Sequence, residues 1–214
     1  NILGKKDEFC YFKNKSERIR NSYNKSFYSK HSFYKNNGFY SMVQDTSQFA
    51  QAFPLWLGIV EEDKKDLVEY QLLWDIEKAH GSPQVTTGIV GTKYLIDLLS
   101  RIKRNDLVLK LFKRTDYPGW GFMINKGATT IWERWQYMTG KEMNSHCHPA
   151  LAAPDTWFFR ELAGIKEGEI IDDRRKFYIA PYFADGISYV DSYINTPWGR
   201  VEVSWKREGN RFSI

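Results

Sequence analysis

The chain has 214 residues, 42% hydrophobic and 16% aromatic, with a formal net charge of +5 from 31 basic and 26 acidic side chains. This length suits one large domain, or one domain plus a smaller one, and the apolar share excludes an intrinsically disordered chain. Much of the basic surplus falls at Lys5, Lys6, Lys13, Lys15, Arg18, Arg20, Lys25, Lys30 and Lys35; with no known nucleic-acid module beside it, this run reads as a solvated helix face and no nucleic-acid partner is expected.

The predicted elements begin with a helix from Asp7 to Ser29, where Phe9, Phe12, Ile19, Tyr23 and Phe27 recur at helical spacing with charges on the other face. Asn-Asn-Gly within residues 34–41 breaks it. Asp45 or Thr46 can cap a second helix over residues 45–60, in which Pro54 predicts a kink or a restart. Glu61, Glu62 and Asp63 favour the start of a third helix running to about Lys78, ended by His80-Gly81-Ser82-Pro83.

A fourth helix covers GTKYLIDLLSRI (91–102), with Leu95, Leu98, Leu99 and Ile102 on one face, and a short fifth covers Asn105 to Lys113. A long loop is then expected from Thr115 to about His148, and loops of that length are uncommon unless functional. The sixth helix starts near Pro154–Asp155 and stops by Gly164-Ile165. After Gly168 the period becomes two: KFYIAPYF, ISYVDSYI and VEVSWKREG read as about three antiparallel strands separated by ADG and NTPWG turns. A sheet that small is marginal alone, so the chain is expected to be cut at its C-terminus. It begins with Asn and shows no signal-peptide pattern, so its true N-terminus is expected upstream, and no compartment is assigned.

Two cysteines, Cys10 and Cys147, lie far apart and form no CxxC pair, which disfavours a disulfide framework. No apolar run reaches the roughly 18 residues that a membrane helix needs, so no membrane partner is expected. Four scattered histidines, and an HCH run (146–148) without the ligand count of a closed site, speak against a metal, and no cofactor is expected.

Within the long loop, GATTIWERW (127–135) sets Glu133 beside Arg134 and between Trp132 and Trp135. Surface loops rarely carry two indoles, and cores rarely carry Glu and Arg. The stretch suits a concave, water-poor site that grips something flat and polar. Indoles exclude water and a guanidinium attracts negative charge, so the neighbours act on the carboxyl in opposite directions. The same residues also fit a salt bridge at the loop surface.

The runs LWLGIVEEDKK, TTGIVGTKYLIDLLS, TDYPGWGFMINKGATTIWERW and MNSHCHPALAAPDTWFFRELAGI resemble the C-terminal half of the bacterial α-L-rhamnosidases of glycoside hydrolase family 78. FYIAPYF and INTPWGRVEVSWKREG resemble that family's C-terminal β-sandwich, and the likeness spans roughly residues 44–207 in order. It implies a mainly α fold: part of an (α/α)6 barrel, about six helices in residues 1–167, followed by an incomplete antiparallel β-sandwich in residues 168–214. It also implies an inverting hydrolase of terminal α-L-rhamnosides, acting on a rhamnose-containing glycoside or polysaccharide.

An inverting enzyme needs two carboxyl groups about 6.5–9.5 Å apart. By its motif, Glu133 corresponds to the general base, and His148 to a histidine lining the sugar site. Trp120, Trp132 and Trp135 are candidates for the sugar site, Trp120 and Trp135 by stacking on the ring face, with core packing the rival reading for each. His148 has its own rival, capping the sixth helix. Cys147 stands where the family usually has Asn, and AAPD (152–155) where it has a Gly-Ser-Val type segment.

The family's general acid lies in an upstream motif that nothing in residues 1–43 resembles. Glu142 reads as a loop residue and Glu161 as a helix-surface residue. The chain alone is therefore expected not to hydrolyse glycosides, and the missing N-terminal part of the same enzyme would be its partner. Two rival readings stay open: an (α/α)6 hydrolase or lyase for another sugar such as a uronic acid, thinly supported by Lys126, Arg134 and Lys141, and a non-catalytic carbohydrate-binding or structural remnant.

Overall fold

A computed structural model of the chain describes residues 4–28, 47–142, 145–167, 176–209 and 211–214. The break expected at 34–41 and the caps expected at Asp45 or Thr46 lie outside them. The architecture is mainly α, with small antiparallel sheets at the C-terminal end. The chain divides into two compact units, Asn1–Thr87 and Gly88–Ile214.

In the first unit, α1 (Lys6–Phe27) follows the predicted periodicity, but only its C-terminal end packs. Tyr23 and Phe27 lie against Ala50 and Val68, whereas Phe9, Phe12 and Ile19 stay exposed. Buried Asn24 donates through Nδ2 to the Arg20 carbonyl (2.9 Å) and the Ile59 carbonyl (2.8 Å), tying α1 to the chain beyond α2. Ser47 caps α2 (Gln48–Leu57) by accepting from the Ala50 N–H at 3.3 Å. Pro54 sits inside α2 without restarting it, and Gly58 closes the helix in the left-handed region.

Glu62 and Asp63 occupy the first turn of α3 (Glu62–Trp74), where the helix dipole favours negative charge. The helix passes directly into a π-helical turn, Asp75–Ala79, so its predicted extent to about Lys78 is right but its last turn is wider. Gln48, 1% exposed, links these pieces. Its Nε2 donates to Asp75 Oδ1 (2.7 Å) and the Gln84 carbonyl (2.9 Å), and its Oε1 accepts from the Thr86 N–H (2.9 Å). A buried amide with every polar atom engaged is tolerated where an unpaired one would not be.

The second unit is built on the hairpin of α4 (Gly91–Arg101) and α5 (Asn105–Lys113). Leu95, Leu99, Leu107, Val108 and Leu111 are fully buried, as the spacing of α4 predicts for its face. Lys103, at φ 62°, makes the turn between them. The predicted unstructured loop holds a six-residue helix, α6 (Trp120–Asn125), with Trp120 and Met123 buried, and a 3-10 turn at Gly140–Glu142. Two apolar contacts in six residues are too few to register as periodicity. After a 3-10 turn at Pro149–Leu151, α7 (Ala153–Trp157) continues into a π-helical turn, Phe158–Leu162.

Glu161 is not a helix-surface residue. Its side chain is 14% exposed, accepting from Asn105 Nδ2 (3.2 Å) and from Lys166 Nζ (3.0 Å). Asn105 in turn accepts from the Trp157 indole N–H (2.8 Å) and the Ser100 hydroxyl (2.9 Å), so one amide joins α4, α5 and α7.

Strand β1 (Ile165–Glu167) pairs antiparallel with β2 (Phe177–Ile179), and β3 (Tyr189–Thr196), β4 (Gly199–Glu208) and β5 (Arg211–Ser213) form a second sheet in that order. Three-residue β1 and β5 lack a readable alternation and were not predicted. Along β4 the inward residues Val203 and Trp205 are buried and their neighbours exposed. The Trp205 indole donates to the Leu162 carbonyl at 2.9 Å, fastening the sheet to the end of the helical part.

Candidate functional site

The segment that carries Glu133 is held by backbone bonds to the segment that carries His148. The Glu133 N–H donates to the Ser145 carbonyl (3.0 Å), and the His148 N–H to the Ile131 carbonyl (2.8 Å). These partners (133 with 145, 131 with 148) mean that the two stretches run past each other in opposite directions. The Thr130 hydroxyl adds a bond to the His146 carbonyl. Two residues 15 positions apart are thereby brought onto adjacent strands of chain.

Glu133 is half-buried and Arg134 is exposed. The indoles on either side are buried: Trp132 is 2% exposed and Trp135 is 7% exposed. The Trp132 ring lies 5.3 Å from Tyr137 and 5.1 Å from His146, centroid to centroid. Trp135 meets Trp120 edge to face at 4.8 Å. Trp120, 7% exposed, donates its indole N–H to the Leu151 carbonyl (2.8 Å) and packs edge to face against Phe112. At these exposures Trp120 and Trp135 offer a ligand an edge, with most of each ring in packing.

His148 caps, but not the helix expected. Its Nδ1 accepts from the Ala150 N–H at 3.2 Å, at the start of the 3-10 turn Pro149–Leu151 that precedes α7. An Nδ1 that accepts leaves the proton of the neutral ring on Nε2, which is then a donor. Capping and ligand binding use different nitrogens and are compatible.

Three neighbours, Tyr137, His146 and Ser145, carry more of the site's architecture than the sequence suggests. Tyr137 stacks on His146, with ring planes 9° apart and centroids 6.3 Å apart, and His146 Nε2 lies 3.0 Å from the Met138 carbonyl. Ser145 braces the turn below them: its hydroxyl accepts from the Cys147 N–H (3.0 Å) and lies 2.9 Å from the Cys147 carbonyl. The only sequence signal for this group is the clustering of aromatic residues and histidines over 132–148. Among the described residues no group of three or more His, Cys, Asp or Glu could hold a metal ion. The side chain of Glu142 lies outside the described residues.

Comparison with known proteins places the chain in a family. Residues 1–162 match the model of the bacterial alpha-L-rhamnosidase 6 hairpin glycosidase domain, and residues 164–214 that of the bacterial alpha-L-rhamnosidase C-terminal domain. An alpha-L-rhamnosidase of Formosa agariphila is 32% identical over 213 residues, covering 96% of this chain and 22% of its own length. The solved alpha-L-rhamnosidase of Dictyoglumus thermophilum superimposes with a TM-score of 0.88 at 35% identity, covering 99% of this chain and 23% of that one. The Streptomyces avermitilis alpha-L-rhamnosidase, solved with L-rhamnose, shares the fold at 24% identity, with a TM-score of 0.81 over 95% of this chain and 19% of that one. The chain thus spans about a fifth of the length of these proteins. Its fold is that of their six-hairpin helical domain, in part, followed by part of an antiparallel β-sandwich. The chain belongs to the bacterial α-L-rhamnosidase family.

Proposed function

We propose that this chain carries the water-activating carboxylate of an inverting α-L-rhamnosidase, with Glu133 as general base and His148 as a donor to a sugar hydroxyl. The observation that carries the reading is the pair of backbone bonds, Glu133 N–H to Ser145 and His148 N–H to Ile131, which set the two residues on neighbouring stretches of one braced loop. In such a reaction Glu133 takes a proton from water as the water oxygen bonds to the anomeric carbon, while the glycosidic C–O bond breaks and a general acid protonates the departing oxygen. Trp132 and Trp135 back the loop on either side of the carboxylate. With Trp120, they are assigned to the wall of the sugar site.

The general acid is assigned to another part of the enzyme, which would be the chain's partner. Glu161 is engaged with Asn105 and Lys166, which argues against it for that role. We assign residues 1–167 to the helical glycosidase domain and 168–214 to the start of the β-sandwich, and terminal α-L-rhamnosides as the substrate class.

A base without its acid leaves the leaving group unprotonated. The 214-residue chain incubated with methyl α-L-rhamnoside, whose alkoxide departs only when protonated, should release no L-rhamnose above the buffer rate. Turnover that is abolished by Glu133→Gln would show that the acid is already present and would overturn its assignment elsewhere.

A further inference from the structure

We infer that Trp120 is the positioning residue of the candidate site, its indole holding from behind both the turn that orients His148 and the stretch that carries Glu133. The inference rests on the reading of Glu133 and His148 given above, and it has Trp120 act through these neighbours rather than by stacking on the sugar. The ring is committed to packing. Its N–H donates to the Leu151 carbonyl (2.8 Å), its edge-to-face partner Trp135 lies at 4.8 Å, and Phe112 packs against it edge to face at 5.0 Å.

The link to His148 runs through one turn. Leu151 is fully buried, so breaking the bond would leave its carbonyl and the indole N–H unpaired away from water. That bond fixes the 3-10 turn Pro149–Leu151, whose own closing bond, from the Ala152 N–H to the Pro149 carbonyl (2.9 Å), is of a kind poorer in geometry than an α-helical one. The same turn presents the Ala150 N–H to His148 Nδ1 (3.2 Å). A held turn therefore keeps the neutral imidazole in one tautomer, with its proton on Nε2, and keeps that donor pointing one way.

The link to Glu133 runs through Trp135, two residues along the same stretch. Trp135 is buried against Trp120, and the Glu133 N–H bond to the Ser145 carbonyl (3.0 Å) ties that stretch to the one carrying His148. The indole thus braces both sides of the pairing that joins the two residues. Its own place is fixed by the backbone. Gly119 and Gly121 flank it, and a Cβ would lie 2.9 Å from the Arg114 carbonyl oxygen at the first and 2.5 Å at the second, so glycines alone let the chain pass this close. Helix α6 starts at Trp120 itself, with the Met123 N–H donating to the Gly119 carbonyl (3.3 Å).

The test replaces Trp120 in the whole chain by β-(3-benzothienyl)alanine, which keeps the ring shape and exchanges the indole N–H for sulfur. Hydrogen exchange at the Ala150 amide should quicken about tenfold, the effect of one lost hydrogen bond. Nitrogen NMR of the His148 ring should show the Nε2–H form, dominant in the native chain, giving way to a mixture, and L-rhamnose affinity by calorimetry should fall about fivefold. The Glu133 amide should keep its protection, since the ring still meets Trp135. Trp120→Phe, checked for native circular dichroism, shortens the ring as well and should quicken exchange at Glu133 too. An unchanged His148 ring and Ala150 amide in the benzothienyl protein would overturn the inference: a fall in affinity alone would mean that Trp120 touches the sugar itself, and no fall that it only packs. Native exchange at Glu133 in Trp120→Phe would overturn the link to the base. If the native chain fails to bind L-rhamnose, the reading of Glu133 and His148 is wrong, and the His148 ring and the two amides alone decide whether Trp120 positions them.

Discussion

Gly164→Ala is expected to lower the unfolding free energy of the second unit by about 2–4 kcal/mol, from a strained left-handed residue at about 1 kcal/mol and overpacking at about 1–3 kcal/mol. Gly164 has φ +80° and joins the end of the helical part to β1. A Cβ there would lie 2.2 Å from the Pro181 nitrogen and 2.4 Å from the Ala180 carbonyl carbon. Both are backbone atoms, so no rotamer change relieves the contact. The Gly164 carbonyl accepts from the Ala180 N–H at 2.9 Å, next to the Ile165–Ile179 pair that opens the β1–β2 ladder. Separating the two stretches breaks that bond and unzips a ladder of three pairs. Urea unfolding followed by tryptophan fluorescence measures the loss, and a change below about 1 kcal/mol would contradict the packing described.

Asn105→Ala should cost about 3 kcal/mol, for a different reason. The amide joins Ser100, Trp157 and Glu161, and its removal strands a buried indole N–H. Leaving a buried donor unsatisfied costs about 1–3 kcal/mol, and the hydroxyl and carboxylate partners lose their bonds as well. Asn105→Asp keeps an acceptor for Trp157 and Ser100 but sets a second carboxylate against Glu161, so it should lie between the wild type and Asn105→Ala. Urea midpoints of the three proteins distinguish this hub from a simple cavity, for which refilling the volume with Asp would restore the wild-type midpoint.

The helices that build the second unit were legible because burial there follows one face of each: Leu95, Leu98 and Leu99 on α4 sit where the helical period puts them. The same logic read α1 correctly as a helix but not the fate of its stripe, since Phe9, Phe12 and Ile19 remain exposed while Tyr23 and Phe27 pack. Periodicity states which residues share a face; it does not say what covers the face. The π-helical turns at Asp75–Ala79 and Phe158–Leu162 were invisible, because each inserts a residue without altering composition. Glu161 was misread for a related reason: its partners Asn105 and Lys166 come from α5 and β1, far from it in sequence or in another element.

The candidate site was legible only through resemblance. Nothing in the spacing of GATTIWERW and SHCHP requires residue 133 to bond to 145 or residue 148 to 131; that pairing comes from loop closure around Trp132, Tyr137 and His146. For the tryptophans, composition left sugar contact and core packing open together. The low exposure of all three, and the bond from Trp120 to Leu151, place much of each indole in packing.

The most direct measurement is a crystal structure of the chain bound to L-rhamnose. The Glu133 carboxylate should reach the sugar through one bridging water, with His148 Nε2 about 2.6–3.2 Å from a sugar hydroxyl. An ordered sugar bound away from both residues, with Glu133 directed into bulk solvent, would contradict the assignment of this loop as the seat of the base.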